Sequence, residues 1–253
     1  IVMHYAGYPC QMEPIRAIAN RHGLALIEDA AHAPGASFGR TALGVWGDVG
    51  CFSFFSNKNL STGEGGMLVT NRDEVAEKAR LLRSHGMTSL TWDRHQGHAY
   101  SYDVVALGYN YRMDEIRAAL GLVQLRKLAE NNARRGQLTA RYWDELEGMG
   151  IGLPFRNVVG KSAFHIFPIL LPEGLNRYAL MDELRTAGVQ TSIHYPPVHQ
   201  FQVYREQGLT TRLPLTETAA ERELTLPLYP TMTLEQHAWV VETVRNGMNR
   251  LGY

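Results

Sequence analysis

The chain has only two cysteines among 253 residues, Cys10 and Cys51. Two thiols without metal-ligand spacing form neither a disulfide framework nor a zinc site, and a reducing cytoplasm is the default reading. No apolar run approaches the roughly 20 residues needed to span a bilayer. Neither sign of charge is in excess, 25 basic residues meeting 25 acidic ones, and there is no basic run. Nucleic-acid binding by bulk electrostatics is therefore disfavoured. Internal repeats and low-complexity tracts are missing. The glycines of Gly63-Glu64-Gly65-Gly66 match neither GxGxxG nor the Walker pattern GxxxxGK followed by Ser or Thr, which argues against a nicotinamide-binding Rossmann domain and an NTPase. The histidines form no HExxH or other zinc spacing. Asp48 and Glu64 read as structural acids rather than a glycosidase pair.

What is present fits a soluble globular protein, 45% apolar and 20% charged, long enough for a substantial core. The chain opens on an apolar stretch, Ile1 to Tyr5, read as a strand. No charged lead-in with a cleavage site precedes it, so a signal peptide is not expected and a start inside a domain is. Glu13 to His22 has helical periodicity, with Pro14 tolerated in the first turn. Leu24 to Glu28 reads as a strand, which makes a βαβ unit and implies a parallel sheet. Val49 to Phe55 reads as a buried strand, Ser56 to Gly66 as an exposed glycine-rich loop and Met67 to Thr70 as a further strand. Arg72 to Ser84 predicts an amphipathic helix with Val75, Ala79 and Leu82 buried. A long polar loop follows, His85 to Tyr109. Two helices are predicted next, Asp114 to about Asn131 and Ala133 to Met149.

The pattern changes near Gly148 to Pro154. A large domain over residues 1–150 and a small one over 151–253 are expected. In the second, Ala163 to Leu171 reads as a strand whose Pro168 suggests an edge or bulge. Arg177 to Ala187, Glu217 to Leu224 and Leu234 to Asn249 read as helices, and Val189 to His194 as a strand. The fold class is α/β, a mostly parallel sheet plus a small α+β unit.

In open parallel sheets ligands gather beyond the carboxyl ends of the strands. Asp29, His32 and the loop carrying Lys58 all follow such ends. Each has a plain reading: Asp29 as a helix cap, His32 as a satisfied polar residue, Ser53 and Ser56 as backbone partners, Asn110 as a turn residue, Lys58 as a solvated charge. Together they suit a lysine that forms a Schiff base with a carbonyl cofactor bearing a pyridinium nitrogen and a phosphate. Asp29 would pair with the nitrogen, and hydroxyl and amide donors would hold the phosphate.

EDAAHAPGASFGR, GDVGCFSFFSNKNLSTGEGGMLVTN, LLRSHG, GYNYRMDEIRAALGLVQL and HYPPVHQF occur in this order. In them the chain resembles the DegT/DnrJ/EryC1/StrS family of pyridoxal-phosphate aminotransferases, of aspartate-aminotransferase fold (fold type I). The resemblance covers essentially the whole chain. It implies pyridoxal 5'-phosphate as cofactor, with Lys58 as the lysine that holds it, Asp29 on its pyridine nitrogen, His32 on the ring's hydroxyl side and Ser53 on its phosphate. Asn110 would reach the phosphate of a neighbouring subunit, which implies a homodimer with shared sites. His194 to His199 would lie near the substrate entrance, and His85 to Leu107 would bear on specificity. The activity implied is transfer of an amino group from glutamate or glutamine to a keto sugar nucleotide. Relatives that dehydrate sugars carry histidine in place of the lysine, so Lys58 favours transamination. A non-catalytic dimerising fragment is the remaining alternative.

One departure accompanies the resemblance. The family's large domain begins well before the position matching Ile1, with a phosphate loop, a cofactor-stacking aromatic residue and the first strands. The expectation is that these 253 residues alone expose sheet edges and apolar faces, bind cofactor poorly and aggregate.

Overall fold

The computed structural model describes residues 1–88, 101–157, 159–208 and 211–253. They group into two compact units, Ile1–Ala129 with Val159–Ser162, and Glu130–Val158 with Ala163–Tyr253.

The first unit carries β1 (Val2–Met3), α1 (Met12–Arg21), β2 (Ile27–Asp29), a small hairpin of β3 (Ser37–Phe38) and β4 (Thr41–Ala42), then β5 (Val49–Ser53), β6 (Gly66–Val69) and α2 (Asp73–Leu82). Its main sheet has the order β1-β2-β5-β6. The first three strands are parallel and in register, Met3 beside Asp29 and Asp29 beside Cys51, while β6 runs antiparallel to β5 with Leu68 opposite Cys51. The expected parallel sheet is therefore present, with an antiparallel edge. Its strands are short because the ladder stops where the chain turns into loops rich in glycine and small residues.

In α2, the side chains of Val75, Ala79 and Leu82 are half-buried, not buried as the periodicity suggests. Ala79 and Leu82 instead line a cavity of about 1030 Å³ shared with Gly66–Thr70, Tyr109 and Tyr111–Met113. The predicted break near Asn131–Asn132 is also not found. One helix, α3, runs from Glu115 to Glu145. Asn132 is buried inside it, and neither it nor Gly136 ends the helix, because tertiary packing outweighs their weak propensity.

The second unit pairs β7 (Phe167–Leu170) antiparallel with β8 (Glu223–Leu226) and carries the helices α4 (Arg177–Thr186), α5 (Gln202–Glu206), α6 (Pro214–Arg222) and α7 (Leu234–Arg250). Leu138, Tyr142, Leu146, Phe167, Ile169, Leu180, Leu224 and Val244 form its core. The sequence reading extends a helix to Leu224, whereas the helix stops at Arg222 and Glu223–Leu226 is a buried strand. The stretch read as a strand over Val189 to His194 contributes only a single bridge, Ser192 to Thr225. Asn176 caps α4 by accepting from the Tyr178 and Ala179 amides. Thr233 and Gln236 form a capping box at the start of α7, satisfying donors that the first helical turn leaves unpaired. No helix among the described residues is long and apolar enough to cross a membrane.

Candidate functional site

The sheet of the first unit presents two faces of different character. Side chains alternate along a strand, so Asp29, Cys51 and Ser53 share one face, joined from neighbouring strands by Met3 and Leu68. This face is open: Met3 is 36% and Leu68 43% exposed. The opposite face holds Glu28 and Phe52 and is covered by the loop around Gly44.

Asp29 ends β2. Its Oδ1 accepts the amide of Ala31 at 3.1 Å, which turns the chain sharply and leaves the rest of the carboxylate on the open face. Cys51 beside it has its thiol pKa raised, by burial first and by the charge of Asp29 second. Ser53 lies two residues further along β5, and its Oγ accepts the Phe55 amide at 3.3 Å.

The loop that follows is shaped from within. The Phe54 amide donates to Gly65 O at 2.9 Å and the Thr62 amide to Phe54 O at 2.9 Å. Phe54, Leu60 and Leu128 pack together with Phe52 and Met113. Gly65 has φ +150°, and a Cβ there would stand 2.7 Å from Thr62 Oγ1 and 2.8 Å from Met113 Cε, so only glycine fits. Lys58 sits in this loop on a turn closed by its own amide to Phe55 O at 3.0 Å. It is half-buried. Burial lowers its pKa, and the negative charge of Asp29 acts in the opposite direction without cancelling the effect. The amine is thus easier to deprotonate than an ordinary lysine.

His32 is buried in the loop after β2, 2% exposed. Its Nδ1 accepts the Ala6 amide at 3.2 Å, so its hydrogen resides on Nε2. Ala6 belongs to the turn Tyr5–Gly7 that follows β1, and the Tyr5 ring lies 6.3 Å from that of His32.

Asn110 is on an exposed segment that bridges Ser84. Its Oδ1 accepts from Arg112 Nε at 3.0 Å, which leaves Nδ2 as its donor. The structure therefore brings Asp29, Ser53 and Lys58 to the carboxyl ends of adjacent strands with His32 in a neighbouring loop, and places Asn110 on a separate segment. Of the long loop read as a specificity element, residues 89–100 lie outside the described residues.

In the second unit, His194 Nδ1 is 2.9 Å from Thr225 Oγ1, and that hydroxyl donates to Glu223 Oε1 at 2.5 Å. The His194 amide donates to Glu223 Oε2 at 2.8 Å. His199 Nε2 lies 3.0 Å from Glu217 Oε1. Both histidines of HYPPVHQF are thus held by carboxylates of their own unit, one of them through Thr225.

Sequence reasoning missed one acid, Glu28. It reads as the last residue of an apolar strand, yet the signal is there: an acid within LALIED has to be partnered if that strand is buried.

The donor set fits pyridoxal phosphate. A carboxylate on an open face meets a cationic ring nitrogen, a lysine amine with lowered pKa meets an aldehyde, and a serine hydroxyl on the same face meets a phosphate.

The model of the DegT/DnrJ/EryC1/StrS aminotransferase family matches residues 1–245. The spore coat polysaccharide biosynthesis protein SpsC of Bacillus subtilis is 36% identical over 97% of this chain, which spans 65% of SpsC. Among solved structures, Helicobacter pylori PseC, an aminotransferase involved in the biosynthesis of pseudoaminic acid, superposes with a TM-score of 0.91 at 27% identity, over 98% of this chain and 66% of PseC. DesV of S. venezuelae, in complex with a ketimine intermediate, gives a TM-score of 0.85 at 36% identity, over 96% of this chain and 63% of DesV. The chain thus spans about two thirds of the length of these relatives and shares their α/β, fold-type-I architecture.

Proposed function

The chain belongs to the DegT/DnrJ/EryC1/StrS aminotransferase family, and we propose that the full-length protein is a pyridoxal-phosphate-dependent sugar aminotransferase whose cofactor lysine is Lys58. The amino donor we propose is glutamate or glutamine, and the acceptor a keto sugar nucleotide. The observation that carries the reading is the placement of Asp29 and Lys58 at the carboxyl ends of adjacent strands: a half-buried amine of lowered pKa within the field of a carboxylate.

Pyridoxal phosphate, when bound, supplies an electron sink that makes the α-hydrogen of an amino acid labile. The residues of this chain do the rest. Asp29 holds positive charge on the ring nitrogen, which keeps the sink effective. His32 offers its Nε2 hydrogen, and Ser53 its hydroxyl. Lys58 Nζ would take the proton from the donor's α-carbon and give it up again within the first half-reaction, and in the second it would deliver a proton to the acceptor carbon and be left again as free amine. Its lowered pKa raises the fraction of free amine available for that task at neutral pH.

A homodimer is supported by α3, where Ile116 is 84%, Leu120 43% and Val123 43% exposed at helical spacing on one stripe. In such a dimer the Nδ2 donor of Asn110 would serve the phosphate of the other subunit. A panel of keto sugar nucleotides offered to the amine-loaded full-length protein tests the substrate class. Return of the aldehyde-form absorbance with at least one of them is expected, and no response to any would count against a sugar acceptor.

A further inference from the structure

Behind Asp29 lies an acid that this chemistry does not use. Glu28 precedes Asp29 in β2, so its side chain leaves by the opposite face. It is fully buried and yet well partnered. Oε1 accepts the amides of Trp46 at 2.6 Å and Gly47 at 2.8 Å. Oε2 accepts the Gly44 amide at 2.7 Å and lies 3.0 Å from His4 Nε2. His4 is itself fully buried. Its Nδ1 accepts the Cys10 amide at 3.3 Å, so the hydrogen it gives to Glu28 is on Nε2. The His4 amide then donates to Asp29 O at 3.1 Å.

The loop that Glu28 holds rests directly on the neighbouring backbone. A Cβ on Gly50 of β5 would stand 1.9 Å from Gly44 O, and one on Gly47 would stand 2.4 Å from Leu26 O. One carboxylate therefore ties together the end of β1, the end of β2 and a loop packed on β5. A four-fold hydrogen-bonded carboxylate in a dry setting leaves little room for movement.

We propose that Glu28, oriented by His4, is the positioning residue of the cofactor site, fixing the end of β2 against β5 so that Asp29 keeps its place relative to Lys58. The inference rests on the roles proposed above for those two residues. Asp48 provides the comparison. Its Oδ2 accepts the Leu26 amide at 2.7 Å, tying the same strand at the end remote from Asp29.

The test uses the full-length protein without cofactor and follows modification of Lys58 by trinitrobenzenesulfonate as a function of pH, read by peptide mass spectrometry. His4→Ala removes a donor while keeping the Glu28 charge. Glu28→Gln places an amide where two donors already converge. In both, the midpoint for Lys58 is expected to fall by roughly half a pH unit or more as Asp29 withdraws its support. His4→Gln, which can present an amide N–H to Glu28, is expected to restore the parent midpoint. Asp48→Asn is expected to lower thermal stability without moving the Lys58 midpoint. Folded His4→Ala and Glu28→Gln proteins that lose stability while the Lys58 midpoint stays at the parent value would make Glu28 a purely structural acid and overturn the proposal. His4→Ala decides the matter where Glu28→Gln does not fold. A cofactor adduct found on another lysine would overturn the functional reading instead.

Discussion

Asp29 acts on Lys58 across two adjacent parallel strands: the carboxylate that ends β2 raises the pKa of an amine in the loop after β5, and burial lowers it by more. Neither effect needs a bound ligand. Removing the carboxylate leaves burial unopposed, so Asp29→Asn should make Lys58 react with amine reagents at still lower pH than in the parent. The same substitution should reduce transamination by the full-length protein by ~10²–10³-fold, the loss typical of removing one preorganised electrostatic partner such as an oxyanion-hole donor. The pH dependence of Lys58 labelling and steady-state kinetics check the two halves separately.

Cys51 shares the open face with Asp29 and Ser53 and is exposed. Its raised pKa lowers the thiolate fraction at neutral pH, so alkylation by iodoacetamide should be slower than for a free thiol and should accelerate only above the ordinary thiol range of about 8.5. Bound pyridoxal phosphate should protect Cys51 from alkylation, because it would cover that face. Alkylation at the same rate with and without cofactor would place the cofactor elsewhere.

Glu28 gives the protein an acid-sensitive element. Burial pushes its pKa up, but the hydrogen bond from His4 and the amides of Gly47, Gly44 and Trp46 outweigh this and hold it below the ordinary value. A carboxylate whose folded pKa lies below its unfolded one contributes stability that is complete above the unfolded value, about 4.3. That contribution fades as pH falls through the folded value. The parent should therefore lose thermal stability on acidification below about pH 4.3, and Glu28→Gln, less stable at neutrality, should lose less over the same interval. Calorimetry at neutral and acid pH measures the difference.

The cap of α7 is a local prediction for the second unit. Thr233 Oγ1 accepts the Gln236 amide at 3.2 Å, while Gln236 Oε1 accepts the Thr233 amide at 3.0 Å. Thr233→Ala should cost about 1 kcal/mol, and Leu224→Ala, which empties a fully buried position in the core, about 2–5 kcal/mol. Chemical denaturation gives both values, with the Leu224→Ala loss the larger.

These contrasts also show which features the sequence makes legible. The βαβ order, the parallel pairing of β1, β2 and β5, and the convergence of Asp29, Ser53 and Lys58 follow from local signals: short apolar, β-prone runs, the helical periodicity between the first two, and a glycine-rich loop after a strand. The errors arise where long-range contacts decide. Asn131 and Asn132 look like a helix break, yet α3 continues through them, with Asn132 buried. Glu223 and Leu224 continue a helical pattern, but pairing with Leu170 and Ile169 draws them into β8. The apolar stripe of α2 was legible as a pattern, but the pattern does not say that it lines a cavity. The need of Glu28 for partners is legible in LALIED, but which partners it takes is settled only in three dimensions.

The central claim is that Lys58 is the residue to which the cofactor attaches. The direct measurement is borohydride reduction of the full-length protein loaded with pyridoxal phosphate, followed by mapping of the modified peptide. The account predicts a single pyridoxyl adduct on Lys58 and no adduct in Lys58→Ala, which should remain folded and lose transamination. An adduct on a different lysine, or undiminished turnover in Lys58→Ala, would contradict it.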